Sequence, residues 1–183
     1  MMTLTVMSTA WMQIALLILL LLAGRSTLAD HYHVPSGSME YTLMPGDRVF
    51  VDKTAYGVRI PFTKIDLFDT GRPQSGDIAV FDSPAEDKLL IKRIVAVGGD
   101  FVELRNGHLW VNGQRPESEA QLNLSAGGGP DIRGLLVPDG KILSIGDHRG
   151  RCHDCRYFGL VAERELYVRA VAVYYSKDEG FGW

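Results

Sequence analysis

Two textures divide this chain. Met1 to Gly24 carries no charged side chain, and "IALLILLLLAG", from Ile14 to Gly24, is unbroken apolar sequence. As a helix, Leu4 to Gly24 would span roughly 31 Å at about 1.5 Å per residue, close to one hydrocarbon core. From about Asp30 the pattern changes to short apolar runs punctuated by turn residues. "RVFVDK" (48–53) alternates as a strand does, and "DIAVFDS" (77–83) follows a Ser-Gly-Asp turn. "KLLIKRIVAVGGD" (88–100) is a longer strand closed by Gly98-Gly99. "FVELRNGHLWVNGQ" (101–114) holds Asn106-Gly107 between two apolar runs, a hairpin signal. "GKILSIGD" (140–147) and "LYVRAVAVYYS" (166–176) predict two more strands. "ESEAQLNLSAGGGPDIRG" (117–134) has weak periodicity and reads as a surface excursion, "RSTLADHYH" (25–33) as a short polar segment, and "KDEGFGW" (177–183) as a frayed tail. No long amphipathic helix is predicted after residue 30. The sum is a mainly β domain carried on an apolar helix.

Composition refines this picture at three points. A chain of 183 residues is enough for one domain with a real core. The apolar N-terminal stretch fits either a cleavable signal peptide, with Ala29 before the cut in "STLAD", or a retained anchor. A cleaved signal ordinarily opens on a basic region and has a shorter core, so the anchor is favoured. The first basic residue, Arg25, lies on its C-terminal side, so the positive-inside rule pulls weakly the other way. The net charge of −3, with basic residues scattered, argues against a nucleic-acid surface.

Two stretches could carry chemistry. In "VPSGSMEYTLMPGD" (34–47), Pro35 and Gly37 flank Ser36 and Ser38, and such residues fix backbone paths that can lift a hydroxyl out of a core. A polar turn is the plain alternative. In "LLIKRIV", strand alternation puts Leu90, Lys92 and Ile94 on one face. A lysine among aliphatics loses solvation, which favours the neutral amine that a serine proton needs. A lysine guarding a sheet edge is the plain alternative. Together the two stretches suggest a serine nucleophile with a lysine base. The five histidines, at 31, 33, 108, 148 and 153, show no triad spacing.

In family order, "PSGSM", "GDRVFVDKTAYGVRIPF", "GRPQSGDIAVF", "IKRIVAVGGD" and "GDHRGRCHDCRYFG" resemble the successive boxes of the bacterial type I signal peptidases, over roughly residues 34 to 176. The resemblance implies a signal-peptidase/LexA-like antiparallel β catalytic domain with one N-terminal transmembrane helix. Residues 1–29 would be anchor and juxtamembrane segment and 30–183 the extracytoplasmic catalytic domain, with 100–141 a reduced accessory β-region. The implied activity is removal of signal peptides from exported preproteins after small-x-small (Ala-x-Ala) sites. Ser38 would be the nucleophile and Lys92 the general base. The Ser38 backbone N–H and the Ser36 hydroxyl would form the oxyanion hole. Asp154 with Arg156, Asp147 with Arg93, Gly146 and Cys152 would support the site. Val34, Pro35, Met39, Leu43, Leu90 and Ile91 would line the substrate's shallow apolar pockets, the substrate adding as a β-strand. The implied partners are signal peptides and membrane lipid, with no nucleic acid, metal or organic cofactor, for a monomer in the cytoplasmic (inner) membrane facing the periplasm.

The sequence also departs from the family pattern. Tyr41 stands where Pro is common, and the last box reads Gly-Asp-His-Arg rather than Gly-Asp-Asn-Arg, with Cys152 and Cys155 at serine positions. Four readings stand for the cysteines: half of a zinc site, a redox centre, a disulfide, or two thiols replacing serines, Cys152 then lying beside Lys92. A specialised relative that processes conjugative pilin and an inactive membrane-anchored binding module are the rival functions.

Overall fold

The structure, a computed structural model, describes residues 11–18, 29–59, 66–68, 70–86, 88–116, 128–151, 154–177 and 180–181. Thirteen strands run through these segments: β1 (Ala29–His33), β2 (Arg48–Asp52), β3 (Val58–Arg59), β4 (Asp66–Phe68), β5 (Ile78–Asp82), β6 (Leu89–Val97), β7 (Phe101–Arg105), β8 (His108–Val111), β9 (Ile132–Leu136), β10 (Lys141–Ile145), β11 (Val161–Ala162), β12 (Leu166–Ser176) and β13 (Gly180–Phe181). Residues 11–18 form helix α1, and Cys155–Phe158 a single turn, α2. The mainly antiparallel β expectation therefore holds.

The larger sheet has eight strands in the order β1-β2-β12-β5-β6-β10-β11, with β13 added to β12. β7 lies between β8 and β9 in a separate three-stranded sheet, and β3 pairs with β4. Strand β12 is the spine: it pairs with β2 along one edge and β5 along the other, with register shifts that let eleven residues serve both. In β6, burial alternates so that Leu90, Lys92 and Ile94 all face inward, as the periodicity predicts. The β7–β8 hairpin turns on Asn106 (φ 52°) and Gly107 (φ 80°), the left-handed pair that a tight two-residue turn requires.

One apolar cluster joins the two main sheets: Phe81, Ile94, Ile142 and Ile145 of the larger pack with Val102, Leu104 and Leu109 of the smaller. A second cluster, Val34, Met39, Leu43 and Val49, sits below the turn that carries Ser38. Burying each such side chain contributes about 1.5–3 kcal/mol, which makes that turn a fixture of the core. Tyr56 closes the core nearby and donates to Asp77 Oδ2 at 3.2 Å. Burial, with the Asp77 charge beside it, pushes its phenol far above the usual 10.

Three expectations need correction. The polar segment before residue 34 includes β1, whose residues pair with β2 from Ala29↔Asp52 to His33↔Arg48. The glycine-rich excursion ends in β9, which pairs with β7. The tail is tied rather than frayed, because Gly180 and Phe181 pair with Ser176 and Tyr175. In each case pairing to a long neighbour outweighs weak local preference. Of the expected anchor, only α1 lies within the described residues. No described helix is long and apolar enough to cross a membrane.

Candidate active site

The turn that carries Ser38 is built by backbone. Ser36 is extended (φ −144°, ψ 157°) and leads into a 3-10 turn, Gly37–Met39. Thr42 and Leu43 both donate their N–H to the Met39 carbonyl, at 2.9 and 2.8 Å, and Glu40 to that of Gly37 at 3.2 Å. Val34 and Gly46 close the base of the loop through Val34 N–H to Asp47 O and Gly46 N–H to Val34 O, each 2.9 Å. Met39, 0% exposed, is the anchor that pins Ser38 beside it.

Lys92 reaches this turn from the middle of β6. Its Nζ donates to Ser38 Oγ at 2.6 Å, and Ser36 Oγ donates to the same oxygen at 3.5 Å. Ser38 is 6% exposed and Lys92 3%. In the β5–β6 register Lys92 lies opposite buried Ala79, a small neighbour. Among the described residues, no carboxylate forms an ion pair with Lys92.

Two further networks hold the surroundings. Arg93, on the opposite face of β6, grips Asp147 through Nε at 2.9 Å and Nη2 at 2.8 Å. Thr42 joins them, its hydroxyl donating to Asp147 Oδ2 at 2.5 Å and accepting from Arg93 Nη2 at 3.2 Å. The Ser38 turn, β6 and the last box are thus locked together. The second network centres on Arg156 and Asp154, whose side chains are both fully buried. Arg156 holds both Asp154 oxygens, at 2.8 and 2.9 Å, and donates to the Arg149 carbonyl at 2.7 Å and the Gly128 carbonyl at 2.5 Å. Asp154 Oδ2 in turn accepts the Gly146 N–H at 3.2 Å. These bonds all go to loop groups and shape the chain that follows β10.

The structure brings Ser36, Ser38 and Lys92 together, with Asp147 and Arg93 one turn away. It places Val34, Met39 and Leu43 in the cluster beneath, packed against half-buried Ile91, while Pro35 is exposed and Leu90 faces the main core. Cys152 and the Cys155 side chain lie outside the described residues. Thr42 escaped the sequence reading, its one signal being a hydroxyl four residues past Ser38. Glu40 and His148, whose Oε2 and Nε2 lie 3.7 Å apart, escaped it too.

A serine hydroxyl in contact with a buried amine is, as chemistry, the equipment of hydrolases that work through a serine nucleophile. The family model described as "Signal peptidase, peptidase S26" matches residues 7–175, and the chain belongs to that family of serine peptidases. It is 30% identical to signal peptidase I of Pseudomonas aeruginosa over 194 residues, covering 86% of this chain and 68% of that protein. It is 29% identical to signal peptidase I of Bacillus licheniformis, covering 91% and 87%. A chloroplastic thylakoidal processing peptidase of Arabidopsis thaliana is 31% identical, with 85% of this chain aligned to 44% of its length. A solved signal peptidase I of Enterococcus faecalis superposes on 55% of this chain and 97% of its own, at 27% identity and a TM-score of 0.46.

Proposed function

We propose that this signal peptidase works through a Ser38–Lys92 dyad and cuts exported preproteins after small-x-small sites. The carrying observation is the 2.6 Å contact between Lys92 Nζ and Ser38 Oγ, both buried. In the reactive state Lys92 is neutral and accepts the Ser38 proton as Oγ attacks the scissile carbonyl carbon. The Ser36 hydroxyl and the Ser38 N–H stabilise the oxyanion that forms. Collapse breaks the peptide bond, Lys92 returns the proton to the leaving amine, and an acyl-enzyme remains. Water, deprotonated by the same lysine, then releases Ser38.

The sheet supports a place for the substrate. β10 pairs with β6 only from Arg93 to Val97, so among the described strands Leu89–Lys92 has no partner on that side. An extended peptide adds to this open edge by backbone hydrogen bonds. Half-buried Ile91 lies along this edge on the close-packed Val34–Met39–Leu43 cluster, packing that leaves room for small side chains alone. The α1 segment supports a membrane-anchored domain: Trp11, Met12, Ile14, Leu16, Leu17 and Ile18 are all exposed, an apolar surface that suits lipid.

The test is cleavage of a preprotein bearing an Ala-x-Ala site by the full chain in detergent. Cutting should fall on the carboxyl side of the site. Ser38→Ala and Lys92→Ala should each abolish it; undiminished cutting by either variant refutes the dyad.

A further inference from the structure

Gly37 makes room for an unusual neighbour. A Cβ built on it would lie 2.0 Å from Glu40 Oε1 and 2.7 Å from Glu40 Cδ, so the carboxylate folds back over the Gly37 backbone. Its other oxygen faces Nε2 of His148 at 3.7 Å. That imidazole is 3% exposed and the Glu40 side chain 24%. The backbone N–H of His148 meanwhile donates to the Ser38 carbonyl at 3.1 Å. The residue after Asp147 therefore touches the nucleophile turn twice, once at the carbonyl of Ser38 and once through the carboxylate two residues on.

We propose that Glu40 and His148 form a positioning pair that fixes the Ser38 turn against the loop after β10. The inference rests on the reading of Ser38 as nucleophile. At 3.7 Å the contact is a polar one, longer than a hydrogen bond. Other charges near His148 are engaged elsewhere: Asp147 is held by Arg93, Arg149 donates to the Gly146 carbonyl, and Lys92 faces Ser38 Oγ. Glu40 supplies the carboxylate opposite the imidazole. Thr42 ties the far end of the turn through Asp147, and the Glu40–His148 contact ties its apex. Losing the apex tie lets Ser38 drift from the attack geometry. A displacement of about 1 Å costs on the order of 10²-fold in rate, so partial loosening should cost about tenfold.

The test combines kinetics with amide hydrogen exchange on the full chain, using Glu40→Ala, His148→Ala, their double variant and His148→Gln. Each alanine variant should lower kcat about tenfold with KM within about twofold, and speed exchange over residues 37–43 but not over β6 or β12. The double variant should be no slower than the slower single. His148→Gln, which keeps a polar N–H group facing Glu40, should restore kcat to within about threefold. Unchanged exchange over 37–43, unchanged kcat, or multiplicative losses in the double variant would each overturn the pair. A wild-type chain that cuts nothing sinks the peptidase reading instead; faster exchange in the variants then still upholds the tie, and unchanged exchange still overturns it.

Discussion

Replacing Asp154 by Ala should be the most damaging single change outside the Ser38 turn. It would leave the Arg156 guanidinium fully buried with its two carboxylate contacts gone, its bonds to the Gly128 and Arg149 carbonyls bringing no opposite charge. It would also strip the Gly146 N–H of its acceptor. Breaking a buried ion pair from one side typically costs about 3–5 kcal/mol, chiefly because a charge is stranded. For a chain of this size that corresponds to a fall in melting temperature of about 6–20 °C. The control is Arg169→Ala, which removes a 3.6 Å bridge to Asp52 and a 3.7 Å bridge to Asp77 from a side chain 40% exposed and should cost about 1 kcal/mol or less. The diagnostic is the double variant: adding Arg156→Met to Asp154→Ala removes the stranded charge and should recover part of the loss. Urea unfolding of the full chain in detergent measures all four. If Asp154→Ala lies within about 1 kcal/mol of wild type, or if the double variant is additively worse, the account of this pair is wrong.

Ser36→Ala should lower kcat by about 10²-fold or more with KM within about twofold, since the hydroxyl is needed only where charge develops; steady-state peptide cleavage checks it. Thr42→Val should cost about 1.5–3 kcal/mol in urea unfolding, because Asp147 loses a hydroxyl donor, while Thr42→Ser should keep most of it. Tyr56 has its pKa raised in the folded state, so its contribution is complete below about pH 10, where the unfolded phenol begins to ionise, and is lost as pH rises further. Stability measured between pH 8 and 11 should therefore fall at the alkaline end in wild type and fall less in Tyr56→Phe.

The legible parts of this protein are those where one period or one turn decides. Lys92 sits between Leu90 and Ile94 on an inward face because strand alternation leaves it nowhere else. The Asn106-Gly107 hairpin was readable because few residues accept two successive positive φ angles. β1, β9 and β13 were illegible for the opposite reason: their sequences carry little preference, and they exist because β2, β7 and β12 offer open edges. Thr42, Glu40 and His148 were missed because their partners lie about a hundred residues away, a distance over which local pattern carries no information. The resemblance supplied the roles of Asp147, Asp154 and Arg156, which no periodicity could have assigned.

The separation of these partners also sets a timetable. Lys92 lies 54 residues beyond Ser38, and Asp147 lies 105 beyond Thr42. A ribosome adding about 5–20 residues per second makes the serine turn roughly 5–20 s before the residues that brace it. The spine strand β12, which pairs with both β2 and β5, comes later still. Non-local strand pairing is slow, so the serine and lysine meet only after almost the whole chain has been made. Contact between Ser38 and Lys92 is thus a late event of folding, one that follows synthesis rather than accompanying it.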